Sequence, residues 1–119
     1  MRKYQSTGEA GVKAPLSEKV YETKVTKVGA TDIIRRYCRF YECEKPLLVV
    51  TPKNTRVWGT YRRSLKRIRL NRPVLGVLLH ELAHHVHREL FDVPAGIWHN
   101  RYFYQVLQDM HNMWKRGEI

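Results

Sequence analysis

Apolar side chains recur at helical spacing between Pro73 and Leu90. They form one continuous stripe, made of Leu75, Leu78, Leu79, Leu82, Val86 and Leu90. Such a stripe is typical of a helix that packs one face against a core. Asn71 is a candidate N-cap and Pro73 suits the first turn, so the pattern predicts a helix from about Arg72 to Leu90.

Two further segments show the same spacing. Thr31 and Asp32 are a helix start signal, an N-cap candidate followed by an acidic residue. The apolar residues after them predict a helix that ends before Pro46. A last helix is expected from about Asn100 to Lys115, with Gly117 just past its end. Its buried face should hold Phe103, Val106, Leu107, Met110 and Trp114.

Three short segments favour strands instead. Leu47–Val50 reads as a buried strand. In the run 65–70, Ile68 and Leu70 share one face and Arg67 and Arg69 the other, which is the period of a half-buried strand. The run 56–62 precedes it across a short basic turn, so the two should form an antiparallel hairpin.

The expected fold class is therefore α+β, with a helix, a three-stranded and mainly antiparallel sheet, and two further helices. The 119 residues suffice for one domain. We place it at residues 17–119, after a polar tail at 1–16 that we expect to be flexible. The pattern between Leu16 and Val28 allows either a strand or a helix start.

Composition indicates the cellular compartment in which the protein is expected. The chain contains no apolar run of about 18 residues, the length that predicts a membrane span. The N-terminus lacks an apolar signal core, so an intracellular, cytoplasmic protein is expected, with nucleoid or nuclear association left open. Cys38 and Cys43 form no CxxC pair, which favours two reduced thiols over a zinc knuckle.

The net charge of +11 has a local excess. Between Lys53 and Arg72 there are eight basic residues and no acidic one. Such a segment attracts polyanions, nucleic acid first among them. It equally suits a solvated strand face, because no base-reading motif accompanies the charge.

The candidate chemistry lies in the motif His80-Glu81-Leu82-Ala83-His84. Histidines four residues apart on a helix share one face, about 40° apart around the axis, and can bind one tetrahedral ion, zinc above all. Glu81 is turned about 100° from His80, within reach of a metal-bound water without being a ligand. The motif therefore predicts metal-assisted hydrolysis with Glu81 as general base.

A catalytic zinc usually has three protein ligands. His87 lies about 10 Å along the helix from His80, too far to share its ion, and His85 points off the stripe. His99 is the preferred third ligand, since it follows a loop long enough to reverse the chain. The alternatives are His111 and the carboxylates of Asp92, Glu89 and Asp109.

The run Trp98–Phe103 resembles the His-Gly-x-x-Phe segment that follows the HExxH helix in SprT-like zinc metallopeptidases, the group that includes Spartan. Gly59–Tyr61 and Ile68–Leu70 are similar to the paired strands before that helix, in SprT-like and in ImmA/IrrE-like peptidases. The resemblance covers roughly residues 31–115. This chain has Asn100 where the family commonly has glycine, and no cysteine follows Cys43 to build a C-terminal zinc ribbon.

The resemblance implies a small gluzincin-like core with His80, His84 and His99 as zinc ligands and Glu81 as catalytic base. The expected activity is hydrolysis of protein or peptide substrates, including proteins associated with nucleic acid. Two other classes stay open: a basic nucleic-acid-binding module with a structural zinc, and an inactive regulator with a peptidase fold. The oxyanion donor is undecided among Tyr61, Tyr102, Tyr104 and Arg101.

Overall fold

A computed structural model describes residues 16–91, 93 and 99–119 of the chain. Its elements are, in order, α1 (Glu18–Glu22), α2 (Lys27–Tyr41), β1 (Leu47–Val50), β2 (Gly59–Arg62), a 3₁₀ turn (Arg63–Leu65), β3 (Arg67–Leu70), α3 (Leu75–Leu90) and α4 (Arg101–Lys115). The expected α+β class is confirmed. The predicted tail lies outside the described residues except for Leu16, which is buried in the core.

The three strands form one sheet in the order β1-β3-β2. β2 and β3 are the predicted antiparallel hairpin, with Tyr61 opposite Ile68. β1 pairs with the other side of β3 in parallel, so that Leu48 also lies opposite Ile68. The sheet is therefore mixed, and the prediction of a mainly antiparallel sheet was wrong, because β1 pairs across the hairpin and not with its neighbour in sequence.

Helix α3 is the centre of the core. Its predicted stripe is buried from Leu75 to Val86, while Leu90 is partly buried. One face of the sheet meets it, since Ile68 and Leu70 of β3 are completely buried. Arg67 and Arg69 alternate with them and lie on the opposite face of the sheet, as the sequence period predicts.

Helix α3 begins at Leu75, three residues later than predicted. Asn71 does not cap it, because its side-chain amide donates to the Val57 carbonyl (3.0 Å). The N-terminus is held instead by an extended segment before α2, where the Thr23 carbonyl accepts from the Leu75 backbone N–H (2.7 Å). A backbone bridge between Lys24 and Val74 belongs to the same contact.

Helix α2 begins at Lys27, five residues before Asp32, the first helical residue predicted after a cap at Thr31. The cap is Thr26, whose hydroxyl accepts from the Gly29 backbone N–H (3.0 Å). Thr31 lies inside the helix and donates its hydroxyl to the Lys27 carbonyl. The predicted end before Pro46 is confirmed, and the undecided stretch 16–28 contains α1, the extended bridge and the start of α2.

Helix α4 matches its prediction closely. Asn100 is the N-cap and its side-chain oxygen accepts from the Phe103 backbone N–H (3.0 Å). The predicted face is buried at Phe103, Val106, Leu107 and Met110, with Trp114 partly buried. The Tyr37 hydroxyl donates to the Met110 carbonyl (2.6 Å), which ties α2 to α4 inside the core.

None of the helices in the described ranges is both long enough and apolar enough to cross a membrane.

Candidate metal centre

Three histidines meet where α3 faces the start of α4. His80 and His84 come from α3, and His99 precedes the N-cap of α4. One ring nitrogen from each lies within 4.8 Å of the others. The Nε2 atoms of His84 and His99 are 3.0 Å apart. The structure thus brings together the three residues that the sequence predicts as ligands.

Phe103 is the packing support of this cluster. Its ring centroid lies 5.2 Å from that of His80, 4.3 Å from that of His84 and 4.9 Å from that of His99. The phenyl ring is completely buried, so it restricts all three imidazoles from one side. From the sequence, Phe103 was assigned to the core face of the last helix and to the segment that resembles His-Gly-x-x-Phe, but its contact with the three histidine rings was not predicted.

Burial keeps the helix histidines neutral. It lowers the pKa of His80 to about 4, with the nearby His99 ring adding a smaller effect in the same direction. Burial also holds the pKa of His84 far below its usual value. A neutral imidazole offers a lone pair to a metal, whereas a protonated one does not. Both rings are therefore in the ligating form at neutral pH.

Glu81 lies beside the cluster and is 8% exposed. Burial raises the pKa of its carboxyl to about 7. The carboxyl can therefore exist in either protonation state near neutral pH, which is the property of an effective general acid or base. Strand β2 approaches it closely, since a Cβ placed on Gly59 would lie 3.2 Å from the Glu81 Cγ.

A cavity of about 460 Å³ opens next to His80 and Glu81. Its remaining lining comes from Tyr21, the segment Arg56–Gly59 and Val77. Two of these side chains are unusually exposed for their type, Val57 at 51% and Trp58 at 42%. A recess with both apolar and charged side chains in its wall therefore adjoins the residues that carry the predicted chemistry.

The alternative third ligands lie elsewhere. His111 is near the N-terminal end of α1, with Nε2 3.3 Å from the Ser17 hydroxyl. The Asp109 carboxylate accepts from the Gln105 amide, and Glu89 lies near Lys66 and His85. Asp92 is outside the described residues. His87 packs between Phe91 and Phe103, with ring centroids 5.5 and 6.1 Å away.

The four candidate oxyanion donors lie at different positions relative to the histidine cluster. The Tyr61 hydroxyl contacts His85 Nδ1 (2.8 Å), outside the histidine cluster. Arg101 donates to the Tyr102 hydroxyl (3.0 Å), and the Tyr102 ring stacks on Phe91. Tyr104 has its ring stacked beside that of His99, with centroids 6.2 Å apart. Tyr104 is thus in ring contact with a residue of the cluster.

The donor set fits a zinc ion. Tetrahedral zinc with Zn–N bonds of about 2.0–2.1 Å separates its nitrogen ligands by about 3.3 Å. The observed 3.0 Å between the Nε2 atoms of His84 and His99 is close to that value. Three imidazoles, with an unliganded carboxylate next to them, match the ligand type of a catalytic site more closely than that of a closed structural one.

No protein-family model matches the chain, and comparisons with curated proteins and with solved structures find no match either. The likeness to SprT-like peptidases therefore stays a prediction that rests on the motif residues. What the structure adds is a group of three histidines that could hold a metal ion.

Proposed function

We propose that this protein is a zinc-dependent peptidase of the SprT-like type. The observation that carries the proposal is the convergence of His80, His84 and His99 beside the buried carboxyl of Glu81. Ligands from one helix and from a distant segment, with a base on the same helix, form the constellation that metal-assisted amide hydrolysis needs.

His80, His84 and His99 would hold the ion through one ring nitrogen each. A zinc ion bound there would polarise the scissile carbonyl and lower the pKa of a bound water. The Phe103 ring contacts all three imidazoles and holds them in place, so the ligands need little rearrangement when substrate binds.

Glu81 acts as the proton carrier. Its carboxylate takes a proton from the attacking water, and the resulting carboxylic acid delivers that proton to the leaving amine. Burial raises the pKa of this carboxyl to about 7 in the metal-free chain, and the positive charge of a bound zinc ion would lower it again. A solvent-exposed glutamate with its usual pKa would hold the proton too weakly for the second transfer.

Substrate is expected to bind as an extended strand. β2 is an edge strand of the sheet that the described residues form, and its first residue, Gly59, contacts Glu81. A peptide that pairs with this edge would pass beside the histidines. The adjoining cavity, with Val57, Trp58 and Val77 in its wall, suits an apolar side chain of that peptide.

Tyr104 is the preferred oxyanion donor. Its ring is beside His99, and a phenolic O–H can donate to the negative charge that develops on the carbonyl oxygen. Tyr61 is less suitable because its hydroxyl contacts His85 on another side of α3.

Binding of a polyanion such as nucleic acid is a second candidate function, and the basic residues of the hairpin favour it. Register places Arg62 opposite Arg67 and Thr60 opposite Arg69, so three guanidinium groups share one face of the hairpin. A groove of about 740 Å³ runs there, lined by Thr60–Ser64, Arg67, Arg69 and Asn71. This face is opposite to the one that α3 covers, so nucleic acid bound there would leave the histidine cluster accessible.

The replacement Glu81→Gln tests the peptidase. The variant should bind zinc at the histidine cluster as the unaltered chain does, yet lose cleavage of a denatured protein and of a DNA-bound protein. Glu18→Gln, at an exposed glutamate outside the cluster, is the matched control and should cleave normally. Cleavage by Glu81→Gln at the unaltered rate would refute the role of Glu81.

The other two classes give different results in the same assay. A nucleic-acid-binding module with a structural zinc predicts no cleavage by the zinc-loaded, unaltered chain, together with salt-sensitive DNA binding. A regulator with a peptidase fold also predicts no cleavage, but binding to a protein partner. Either result would contradict the proposed activity.

A further inference from the structure

A second group of potential metal ligands lies on the other side of α3. One ligating atom each of Cys38, Cys43 and His85 lies within 4.8 Å of the others. His85 follows His84 directly, so adjacent residues of α3 contribute to two different clusters. Successive helix residues are turned by about 100°, which separates the two groups around the helix axis.

The two cysteines meet because of the way α2 ends. Glu42 has a left-handed backbone (φ 54°), and the Cys43 backbone N–H donates to the Cys38 carbonyl (3.0 Å). The Glu42 N–H donates to the Arg39 carbonyl (3.2 Å), which completes a Schellman motif. This motif brings the residue after the left-handed Glu42 back onto the last turn of the helix. That residue is Cys43, and it meets Cys38 in the last turn.

His85 is fixed against this pair. It is completely buried, with Nδ1 2.8 Å from the Tyr61 hydroxyl and Nε2 2.5 Å from the Glu44 carbonyl oxygen. A metal-ligating histidine normally keeps a hydrogen-bond partner on its second ring nitrogen. Whichever nitrogen of His85 binds an ion, the other retains such a partner, and the ion takes the place of one hydrogen bond.

We propose that Cys38, Cys43 and His85 form a second, structural zinc site, which Glu89 completes as the fourth ligand once its side chain turns toward the two sulfur atoms. Two thiolates and an imidazole are donors that zinc prefers, and a carboxylate is accepted in the same tetrahedral set. Glu89 is one turn from His85 on α3, and its Oε1 lies 3.7 Å from His85 Nε2. The site would fasten the end of α2 to the helix that carries His80 and His84.

The charge balance agrees with this assignment. Two thiolates and the Glu89 carboxylate leave one net negative charge around Zn²⁺. The ammonium of Lys66 lies 3.2 Å from the Glu89 carboxylate and offsets it. Binding converts two S–H groups into two Zn–S bonds and releases both protons to water, so no oxidant or reductant is required.

Metal stoichiometry of the full-length, reduced protein tests the proposal. After treatment with a chelator and reconstitution with zinc, the unaltered chain should hold two ions that resist gel filtration. Cys43→Ser, at the less buried cysteine, should hold one, and His99→Ala should also hold one, since the two sites are separate. The control is His87→Leu, at a buried histidine of α3 outside both clusters, which should keep two.

Substitution with Co²⁺ tests directly whether thiolates bind the metal. Thiolate ligands give a cobalt charge-transfer band in the near ultraviolet, which histidine and carboxylate ligands do not give. The band should appear in the unaltered chain and in His99→Ala, and be absent from Cys43→Ser. A reduced chain that shows no such band, or a Cys43→Ser variant with two zinc ions, would overturn the proposal. Neither outcome bears on the histidine cluster or on peptidase activity.

Discussion

Gly59 of β2 lies directly against Glu81 of α3. A Cβ at position 59 would come within 3.2 Å of the Glu81 Cγ and within 2.6 Å of the Val77 Cγ1. A contact of 2.6 Å requires the Val77 side chain, the strand or the helix to move. The missing side chain of Gly59 therefore sets how close the edge strand comes to the proposed general base.

Gly59→Ala should consequently destabilise the protein. Overpacking of this kind typically costs about 1–3 kcal/mol, and the free energy of unfolding in urea measures it. Cleavage should fall as well, because the displaced strand no longer presents a peptide to Glu81. Gly29→Ala is the control, since a Cβ there would approach only the Thr26 hydroxyl, at 3.2 Å. Equal stability of Gly59→Ala and the unaltered chain would contradict the close packing.

His87→Leu is expected to stabilise the chain. His87 is completely buried, and both of its ring nitrogens lack a hydrogen-bond partner in the part of the chain that the structure describes. An unsatisfied buried polar group costs about 1–3 kcal/mol, which an apolar side chain of similar size avoids. A gain of about 1 kcal/mol in urea unfolding is predicted, and a decrease would show that the ring has an unrecognised role.

The same variant should reveal a pH dependence. Burial, followed by the charge of Arg88, lowers the pKa of His87 to about 4, below its usual value of 6.5. The unfolded chain therefore binds a proton that the folded chain refuses, and folding stability falls as the pH drops from about 6.5 to about 4. With metal removed by a chelator, the difference in the free energy of unfolding between His87→Leu and the unaltered chain should increase as the pH falls from about 6.5 to about 4. An advantage independent of pH would contradict the buried, neutral state of His87.

His99→Ala tests the choice of third ligand. His99 is exposed and precedes α4, so its replacement should leave the fold intact. Cleavage should fall by more than about 100-fold. Removing a residue that only supports a metal ligand costs at most about that much, so a larger loss is expected for a ligand itself. His111→Ala alters the runner-up and should cleave normally in the same assay. The reverse result, an active His99→Ala and an inactive His111→Ala, would reassign the ligand.

Arg67→Gln and Arg69→Gln address the basic face of the hairpin. Each should weaken binding of single-stranded DNA, measured by fluorescence anisotropy, and reduce the slope of log affinity against log salt by about 0.7 for each phosphate that is no longer neutralised. Arg36→Gln is a suitable control, because that guanidinium pairs with Asp32 on α2 (2.9 Å). An unchanged slope in both hairpin variants would indicate a solvated surface.

Local periodicity predicted the elements that bury a continuous apolar face. The stripe on α3, the face of α4 and the alternation in β3 were all correct because each element meets the core along one side. The start of α2 was missed because its first turn contains Val28, which is 82% exposed and gives no core signal. Thr26 was the better cap, but the β-branched residues around it, Val25 and Val28, equally allowed a strand.

Pairings between distant segments were harder to predict. The parallel pairing of β1 with β3 depends on the whole chain path, and no local pattern specifies it. The HExxH spacing predicted that His80 and His84 share a face, and loop length favoured His99. The cluster of Cys38, Cys43 and His85 escaped prediction, because it requires α2 to end beside α3.

The most direct test is a crystal structure of the zinc-loaded protein with anomalous data at the zinc absorption edge. We expect an anomalous peak about 2.0–2.1 Å from one nitrogen each of His80, His84 and His99, with the Glu81 carboxylate close by but not coordinated. An absence of zinc between these histidines, or a zinc there with His99 outside its coordination sphere, would contradict the proposed metal centre.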